Sequence, residues 1–490
     1  MTLSPLADLD RHADERPDDI ALATLERSYT FAELRAAVNA VASRLRIEGV
    51  KPRDVVGIDV PTGVEWIIDL ALLRLATRGV SLRGVASAGD LAFDVWITTP
   101  GGRGLAAPVL LEIDKLWISN AVSRAAGPPP LVEYPRPDSI CRLLLTSGTT
   151  GMPRAAAYSV SALESRRAGL HRYWTDDRPE VNFMGLSTTG GIHTAIASLN
   201  HGQAFRAVDA INEQTMRFVA AQQIQVICGS PMQVAAAVEV LVEHSIDLLG
   251  LREVRMAGAA PSPSLLRLLK ERLGVPVRSI YGSTEGGGVT MRFLGPDDDP
   301  ANAGPPLPTL EVQIVDDSGE PVRTGIEGAV RYRGPGLVSG YLENNAVEAF
   351  PRGWFMPGDR GMLDETGSVV LAGRSSELVN LGGLKIDPAR VDELAMTFPG
   401  VRDAATFEIE RRVGIPELAI AVVTDPGCDL RALDRYLRNQ LKVGHPTAFW
   451  QVAEIARNRM GKVERTVLAS EFTRKSAVPD ATKNAPAEGH

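Results

Sequence analysis

TSGTTGMPR, residues 146–154, interrupts an otherwise apolar stretch, because residues 140–145 before it read Ile-Cys-Arg-Leu-Leu-Leu. An apolar run followed by glycines, hydroxyl side chains and a Pro-Arg pair predicts a buried strand that leads into a loop. Such a loop can direct several backbone N–H groups and hydroxyls at one point, which suits a polyphosphate. An ordinary surface turn has the same composition. The stretch is not a Walker P-loop, because the Gly-Lys-Ser/Thr ending is absent.

The composition is that of an ordinary globular protein. A chain of 490 residues with 44% hydrophobic residues has material for roughly two to four domains. Its net charge is −8, and the sequence contains no basic block. Both observations argue against nucleic acid or an anionic membrane as a partner and favour a small-molecule substrate. No apolar run approaches the ~20 residues of a membrane span, and residues 1–16 are polar and acidic, so we expect a cytoplasmic protein. The three cysteines are scattered, which favours free thiols.

Strand and helix patterns alternate along most of the chain, which predicts parallel sheets flanked by helices. Four apolar strands end in corners of small or polar residues, at residues 181–186, 226–229, 253–257 and 277–281. The carboxyl ends of parallel strands lie at one edge of a sheet and form a ligand crevice there. We therefore expect these corners to lie side by side.

The pattern changes twice in the second half of the chain. From Leu310, alternating strands separated by Gly and Asp turns predict a smaller β-subdomain. From residue 376 the organisation restarts as an α+β unit of roughly a hundred residues, and the polar residues 473–490 are typical of a disordered tail. The predicted fold class is α/β, with a large N-terminal domain of parallel-rich sheets plus the β-subdomain (residues 1–375) and a small α+β C-terminal domain (residues 376–472).

Five short motifs occur in an order that resembles one enzyme superfamily. They are TSGTTGMPR at 146–154, YGSTE at 281–285, GWFMPGD at 353–359, GR at 373–374 with LGGLK at 381–385, and GK at 461–462. Each motif alone is a weak signal. Together, from about residue 5 to residue 468, they resemble the adenylate-forming superfamily of acyl- and aryl-CoA synthetases, peptide-synthetase adenylation domains and firefly luciferase.

The resemblance implies an ATP-dependent ligase that works in two steps. A carboxylate first attacks the α-phosphate of ATP and gives an acyl- or aryl-adenylate and pyrophosphate. A thiol then displaces AMP and leaves a thioester. This chemistry requires shielding of the polyphosphate charge, a cation on the transferring group and a fixed adenosine. ATP and Mg²⁺ are therefore the expected cofactors.

The resemblance also assigns the ATP-binding residues. Thr284 resembles the family's phosphate-contacting threonine, and Glu285 its Mg²⁺-binding carboxylate, which suits the oxygen preference of Mg²⁺. Asp359 matches the carboxylate that accepts both ribose hydroxyls, and Arg374 the nearby ribose and phosphate contact. The β- and γ-phosphates are expected at Thr146, Ser147, Gly148, Thr149, Thr150, Gly151 and Arg154, the last of which replaces a more frequent lysine. The adenine slot is expected at Gly258, Ala259, Ala260, Tyr281 and Gly282.

Some of these residues also have ordinary structural interpretations. Asp359 alone could cap a turn, Tyr281 could belong to the core, and Arg374 could form a surface ion pair. The order of the five motifs favours the functional interpretation.

Lys462 is the residue expected to catalyse the first step, together with Thr284 and Glu285. In the family the corresponding lysine bridges the carboxylate and the α-phosphate, where negative charge develops. It lies on a small mobile C-terminal domain that closes over ATP and then rotates about a hinge. The hinge position is Ser376 here, where the family more often has Asp or Lys. Lys385 lies on the face expected to approach in the second step.

The acid-binding pocket departs from the usual pattern. CoA synthetases normally place a His or aromatic residue after the strand that precedes residue 187, where it gates the thiol tunnel, and Ser187 stands there instead. The acidic residue with which amino-acid-activating domains hold an α-amino group is not visible, which disfavours an α-amino acid as substrate. His193 could point inward, although a structural role is the simpler interpretation. The predicted pocket residues are Ser187, Thr188, Gly190, Gly191, His193, Gly229 and Ser283.

The sequence does not decide which molecule accepts the acyl group in the second step. No attached carrier domain is visible, which favours CoA as the acceptor, with a separate acyl or peptidyl carrier protein as the alternative. A rival function stops at the adenylate or passes it to a nitrogen nucleophile. A catalytically weak nucleotide-binding homologue is a further rival, and a kinase is disfavoured because the Walker lysine is absent. We expect a monomer or homodimer that acts on a small carboxylic acid.

Overall fold

The computed structural model divides the chain into two compact units. One consists of Met1–Pro357 and Gly361–Leu371, and the other of Gly358–Arg360 and Ala372–His490. The predicted hinge, Ser376, lies outside the described residues, so the domain boundary between residues 375 and 376 stays a prediction. The structure describes residues 4–83, 85, 88–114, 116–124, 132–146, 153–173, 178–343, 346–374, 379–381, 384–386, 388–412, 415–441, 445–458 and 461–477.

The helices alternate with strands through much of the chain. No helix within the described ranges combines the length and the apolar composition that a membrane crossing requires. The helices are α1 (Ser4–Glu15), α2 (Phe31–Ile47), α3 (Thr62–Arg74), α4 (Trp117–Arg124), α5 (Val160–Tyr173), α6 (Thr189–His201), α7 (Glu213–Ala221), α8 (Pro231–Glu243), α9 (Pro263–Arg272), α10 (Pro388–Met396), α11 (Leu430–Leu441) and α12 (Arg465–Ala477). The strands are β1 (Ile20–Ala23), β2 (Ser28–Thr30), β3 (Val55–Asp59), β4 (Arg78–Ser81), β5 (Val95–Thr98), β6 (Val109–Glu112), β7 (Ile140–Thr146), β8 (Arg154–Ser159), β9 (Glu180–Asn182), β10 (Phe205–Arg206), β11 (Val226–Gly229), β12 (Glu253–Ala257), β13 (Val277–Ser283), β14 (Gly287–Leu294), β15 (Asn302–Gly304), β16 (Glu311–Val315), β17 (Gly328–Arg333), β18 (Tyr341–Glu343), β19 (Ala346–Glu348), β20 (Asp359–Leu363), β21 (Val369–Arg374), β22 (Val379–Leu381), β23 (Leu384–Ile386), β24 (Val401–Arg412), β25 (Ile415–Thr424) and β26 (Ala448–Gln451).

An eight-stranded sheet of the first unit has the order β19-β18-β8-β7-β4-β3-β5-β6. Strands β6, β5, β3, β4 and β7 pair in parallel. β8 then runs antiparallel to β7, with Thr146 opposite Arg154. The strand predicted before the phosphate loop is therefore confirmed, and the loop connects the two strands of a β-hairpin.

A second sheet confirms the predicted parallel arrangement of the four apolar strands. Its order is β14-β13-β12-β11-β9, in which β9, β11, β12 and β13 are parallel and β14 is antiparallel. Their side chains form one core with the apolar faces of α7, α8 and α9, and Val181, Ile227 and Val254 are buried in it. The carboxyl ends of the four strands lie at one edge of the sheet.

The predicted strand over residues 181–186 is wrong after Asn182. β9 ends at Asn182, because the Asn182 Oδ1 accepts a hydrogen bond from the N–H two residues later at 2.9 Å and turns the chain. Gly185 follows with a left-handed φ of 72°. The side chain of Thr188 caps α6 by accepting a hydrogen bond from the N–H of Gly191 at 3.1 Å. The small residues predicted as an open corner therefore start a helix.

The β-subdomain is also confirmed. Its sheet has the order β15-β21-β20-β17-β16, and β16 and β17 pair antiparallel from Glu311 opposite Arg333. Val330 and Tyr332 on β17 are buried in its core.

The second unit has the predicted α+β character. β24 and β25 form a long antiparallel pair, β26 joins β25 in parallel, and α10 and α11 pack against β24 and β25. Asp392 of α10 pairs with Arg465 of α12 at 2.7 Å. Because α12 extends to Ala477, the prediction of a disordered tail from residue 473 is wrong for residues 473–477, and residues 478–490 lie outside the described residues.

Helix α3 carries two acidic residues although it is buried on all sides. Glu65 and Asp69 are 0% and 2% exposed. Asp69 pairs with Arg142 of β7 at 2.7 Å, and Arg142 also donates to the carbonyl of Leu186 at 3.0 Å. Burial, and then the charge of Asp69, raises the pKa of Glu65 to about 8. Glu65 is therefore protonated at neutral pH.

We expect Glu65 to weaken the fold at alkaline pH. A carboxyl whose pKa rises on folding stabilises the folded state fully below its unfolded pKa, and this stabilisation is lost progressively as the pH rises from that pKa through about 8. Between pH 5 and 9, the free energy of unfolding of the wild type should fall relative to that of Glu65→Gln by up to about 1.4 kcal/mol per pH unit, measured by urea denaturation. Glu112→Gln, at an exposed position of β6, should follow the wild type. A difference between wild type and Glu65→Gln that does not vary with pH would contradict this assignment.

Candidate active site

Residues of several predicted motifs lie at the carboxyl edge of the second sheet. Gly229 ends β11, residues 258–260 follow β12, and Ser283 ends β13. Thr188 starts α6 shortly after β9. All of these residues belong to the first unit. Strand ends and helix N-termini at such an edge direct backbone N–H groups toward a ligand.

The turn between β13 and β14 is fixed from one side by Ser283. Its Oγ accepts hydrogen bonds from the backbone N–H groups of Glu285 and Gly286 at 3.1 and 3.0 Å. The hydroxyl of Tyr332 donates to the same Oγ at 2.8 Å. The Ser283 hydroxyl, predicted to line the acid pocket, is thus engaged within the turn.

Tyr158 and Arg166, which the sequence interpretation missed, fix the other side of this turn. The hydroxyl of Tyr158 donates to the carbonyl of Thr284 at 2.7 Å. Arg166 donates to the same carbonyl at 3.2 Å, to that of Glu285 at 2.5 Å, and to the Tyr158 oxygen. The one available signal was a tyrosine within the apolar strand Arg154–Ser159, because a buried tyrosine hydroxyl needs a partner.

The Glu285 carboxylate is connected to the end of the phosphate-loop motif through Tyr341. Glu285 is 6% exposed, and the Tyr341 hydroxyl donates to its Oε1 at 2.5 Å. The Cζ of Arg154 lies 3.7 Å from the centre of the Tyr341 ring, and its Nη2 lies 2.6 Å from Oε2 of Glu348. Burial, and then the charge of Glu285, raises the pKa of Tyr341, so this side chain stays a hydrogen-bond donor. The sequence carried no signal for Tyr341.

The small side chains predicted to form the adenine slot leave the backbone of residues 258–260 accessible to a ligand. Residues 258–260 are exposed directly after β12, and Gly258 has a left-handed φ of 90°. Tyr281 on β13 is half-buried. Gly282 has no room for a side chain, because a Cβ there would lie 1.9 Å from the carbonyl oxygen of Gly287. This edge combines small side chains with one aromatic ring.

The predicted acid-pocket residues around α6 have several structural contacts. The Ser187 hydroxyl donates to the carbonyl of Arg83 at 3.2 Å. A Cβ on Gly191 would lie 1.8 Å from the carbonyl oxygen of Gly185, and one on Gly190 would lie 2.2 Å from a methionine methyl group. Gly191 is therefore required by the packing of the helix start, whereas the contact at Gly190 is with the end of the flexible Met184 side chain.

His193 is buried in α6 at 3% exposure. Burial, and then the charge of Arg166, lowers the pKa of His193 well below its usual value. Its imidazole is therefore neutral and supplies no positive charge to an acid.

The remaining predicted residues lie in the second unit or outside the described ranges. Asp359 starts β20 and is 7% exposed, and Arg374 ends β21. Lys462 is exposed, and its backbone N–H donates to Oδ1 of Asn458 at 3.0 Å in a turn. The residues outside the described ranges are Ser147, Gly148, Thr149, Thr150, Gly151 and Ser376.

Comparisons with known proteins identify the family. The sequence profile of the AMP-binding enzyme family matches residues 9–83 and 104–342. The chain belongs to the AMP-binding enzyme family. It is 26% identical to oxalate–CoA ligase from Arabidopsis thaliana over 97% of this chain and 99% of that protein. Among solved structures it is similar to ATP-bound MatB from Rhodopseudomonas palustris, with TM-score 0.83 and 24% identity, and to amide bond synthetase McbA from Marinactinospora thermotolerans, with TM-score 0.81 and 24% identity, each over 96% of this chain and 99% of the other.

The first unit of this AMP-binding enzyme contains a carboxylate that fits a Mg²⁺ ion brought by ATP. The described residues contain no group of three or more His, Cys, Asp and Glu side chains that could hold a metal ion by themselves. Mg²⁺ in nucleotide sites binds one or two protein carboxylates and takes its other ligands from phosphates and water. Glu285, close to the end of the phosphate-loop motif, matches this requirement.

Tyr341→Phe should lower the free energy of unfolding by about 1–3 kcal/mol, because the buried carboxylate of Glu285 loses a donor. The ring, which packs against Arg154 and Phe350, is retained. Urea denaturation measures the change. Tyr29→Phe is the matched control, since the Tyr29 hydroxyl makes no hydrogen bond to the described residues, and it should stay within about 0.5 kcal/mol of wild type. Equal effects of the two variants would show that the Tyr341 hydroxyl does not stabilise Glu285.

Proposed function

We propose that this AMP-binding enzyme converts a small carboxylic acid and Mg·ATP into an acyl- or aryl-adenylate and then into a CoA thioester. The contact of Tyr341 with both Arg154 and Glu285 carries the proposal. It brings a cation from the end of the phosphate-loop motif close to a carboxylate suited to Mg²⁺. A metal-bound triphosphate needs both kinds of group.

In the first step, the residues of the first unit hold the triphosphate. An oxygen of the acid's carboxylate attacks the α-phosphorus, the bond from that phosphorus to the bridging oxygen breaks, and pyrophosphate leaves. Glu285 would hold the metal ion, which would shield the phosphate charge. The Thr284 hydroxyl and the Arg154 guanidinium contact phosphate oxygens, together with Thr146 and the loop that follows it.

The second unit supplies the other groups of the proposed mechanism. Asp359 accepts the ribose hydroxyls, and Arg374 contacts the ribose and the phosphate. Lys462 stabilises the charge that develops between the carboxylate and the α-phosphate. The two units must close over ATP for this step, with Ser376 as the proposed hinge.

The acid is proposed to bind at the carboxyl edge of the second sheet, near Ser187 and the start of α6. His193 is neutral there, so it does not pair with the acid as a fixed cation. Recognition of the acid then depends on shape and on neutral hydrogen bonds. An α-amino acid is disfavoured.

CoA is the proposed acceptor. Oxalate–CoA ligase, which matches nearly the whole chain, supports this choice. In the second step the thiol sulfur attacks the acyl carbon, and AMP leaves. The amide bond synthetase McbA shares the fold, so a nitrogen nucleophile, like a separate carrier protein, is an alternative outcome of the acceptor test.

Exchange of labelled pyrophosphate into ATP, measured with a panel of aryl, fatty and small branched acids, tests the first step. The wild type should exchange with one class of acid, and Lys462→Ala should reduce that exchange by about 100-fold or more, because charge on the α-phosphate loses its stabilising group. Lys270→Ala, at an exposed lysine of α9, should exchange like the wild type. Unchanged exchange by Lys462→Ala would remove this lysine from the mechanism.

The acceptor is tested by mixing the enzyme, ATP and the acid identified in this way with CoA, with a holo-carrier protein or with amines. Mass spectrometry of the products should show the CoA thioester, because CoA is the proposed acceptor of the acyl group. Each acceptor is also incubated with the preformed adenylate in the absence of enzyme, to correct for spontaneous reaction of the adenylate. A loaded carrier or an amide as the main product would overturn the choice of CoA and leave the adenylation step intact.

A further inference from the structure

Arg166 is a buried cation whose partners are neutral. Its side chain lies on α5 and is 6% exposed. Within the described ranges its guanidinium donates to backbone carbonyls and to the Tyr158 hydroxyl, and its Cζ lies 4.4 Å from the centre of the Tyr158 ring. Burying an ionised group without an opposite charge costs several kcal/mol unless hydrogen bonds compensate it. A neutral side chain would fill this space at lower cost, so the cation calls for a specific explanation.

The carbonyls that Arg166 binds belong to the turn that carries the proposed metal ligand. The Thr284 carbonyl accepts hydrogen bonds from Arg166, from Tyr158 and, at 3.3 Å, from the hydroxyl of Thr189. The Glu285 carbonyl accepts one from Arg166 and one from the N–H of Val338 at 3.0 Å. A peptide plane held by two or three donors cannot rotate without losing them. The directions of the Thr284 and Glu285 side chains are thereby fixed.

Arg166 also contacts or adjoins the segments of the first unit that carry Arg154, Glu285 and Tyr341. Its Nε donates to the carbonyl of Gly336 at 2.6 Å, in the segment that leads to Tyr341. Helix α5 directly follows β8, which begins at Arg154. A Cβ on Gly287, just after the turn, would lie 3.5 Å from the Arg166 Cζ. One guanidinium therefore ties β8, through Tyr158, to the turn and to the approach to Tyr341.

We propose that Arg166 is a positioning residue for binding of metal-bound ATP. Its guanidinium fixes the backbone of Thr284 and Glu285 so that the Glu285 carboxylate is held in place to receive the ion. This inference rests on the proposed function. Because Arg166 acts through backbone carbonyls, its replacement misplaces the carboxylate without removing it. Loss of a group that orients a metal ligand costs about 10- to 100-fold in metal affinity.

The test is a titration of the full chain with Mn²⁺ in the presence of ATP, with bound metal measured by electron paramagnetic resonance. Arg166→Met should weaken Mn²⁺ binding by about 10- to 100-fold, whereas binding of AMP without metal, measured by calorimetry, should stay within about threefold of wild type because the adenine and ribose contacts are unchanged. Arg166→Lys, which keeps a cation, should recover part of the loss. Arg167→Met is the matched control on the same helix, because Arg167 contacts Asp8, Glu164 and Asn200 and not the turn.

The outcomes separate this inference from the proposed function. A wild-type protein that binds no Mn²⁺ with ATP would refute the proposed function. A wild type that binds, together with a folded Arg166→Met that binds Mn²⁺ with equal affinity, would refute the role of Arg166 alone. If circular dichroism shows that Arg166→Met is unfolded, the Mn²⁺ affinities of Arg166→Lys and Tyr158→Phe test the role of Arg166 instead. Tyr158→Phe removes one donor to the Thr284 carbonyl and should weaken Mn²⁺ binding about threefold. Unchanged affinity in both variants would overturn the inference.

Discussion

The tight hairpin between β13 and β14 is the constraint on which the candidate site depends. It can close because Gly282 has no side chain, since a Cβ there would lie 1.9 Å from the Gly287 carbonyl oxygen. The Ser283 hydroxyl then holds the N–H groups of the turn, and Arg166 holds its carbonyls. Any movement of this hairpin would displace Thr284 and Glu285 together.

Buried charge alone does not distinguish this site from the rest of the core. Asp69 of helix α3 and Arg142 of β7 form a buried ion pair, and Glu65 of the same helix avoids the cost of a buried charge by staying protonated. Glu285 instead accepts a hydrogen bond at Oε1 from the Tyr341 hydroxyl. The difference lies in position, because Glu285 follows directly on a strand end at the carboxyl edge of a parallel sheet, where ligands of such sheets bind.

The sequence predicted the strands well because the apolar pattern of each one is local. It failed where a side chain redirected the backbone, as Asn182 does when it ends β9 early. It also failed for side chains whose partners are distant in the chain, since Arg166 meets Thr284 and Tyr341 meets Glu285 only after the sheets have formed. The five motifs indicated the correct family. Nothing local, however, could show that the Ser283 hydroxyl also accepts a hydrogen bond from Tyr332.

Arg154 makes two contacts that differ in strength, an exposed ion pair with Glu348 and a stacking contact with the Tyr341 ring. Its ion pair with Glu348 lies at the surface, where the side chains are 37% and 64% exposed, and such a pair is worth at most about 1 kcal/mol. A phosphate can therefore replace Glu348 at small cost. The stacking of the guanidinium on the Tyr341 ring does not depend on that carboxylate, and a planar guanidinium stacks on a ring in a way that a lysine ammonium does not. The arginine that replaces the more frequent lysine thus keeps its contact with Tyr341, the residue that donates a hydrogen bond to Glu285.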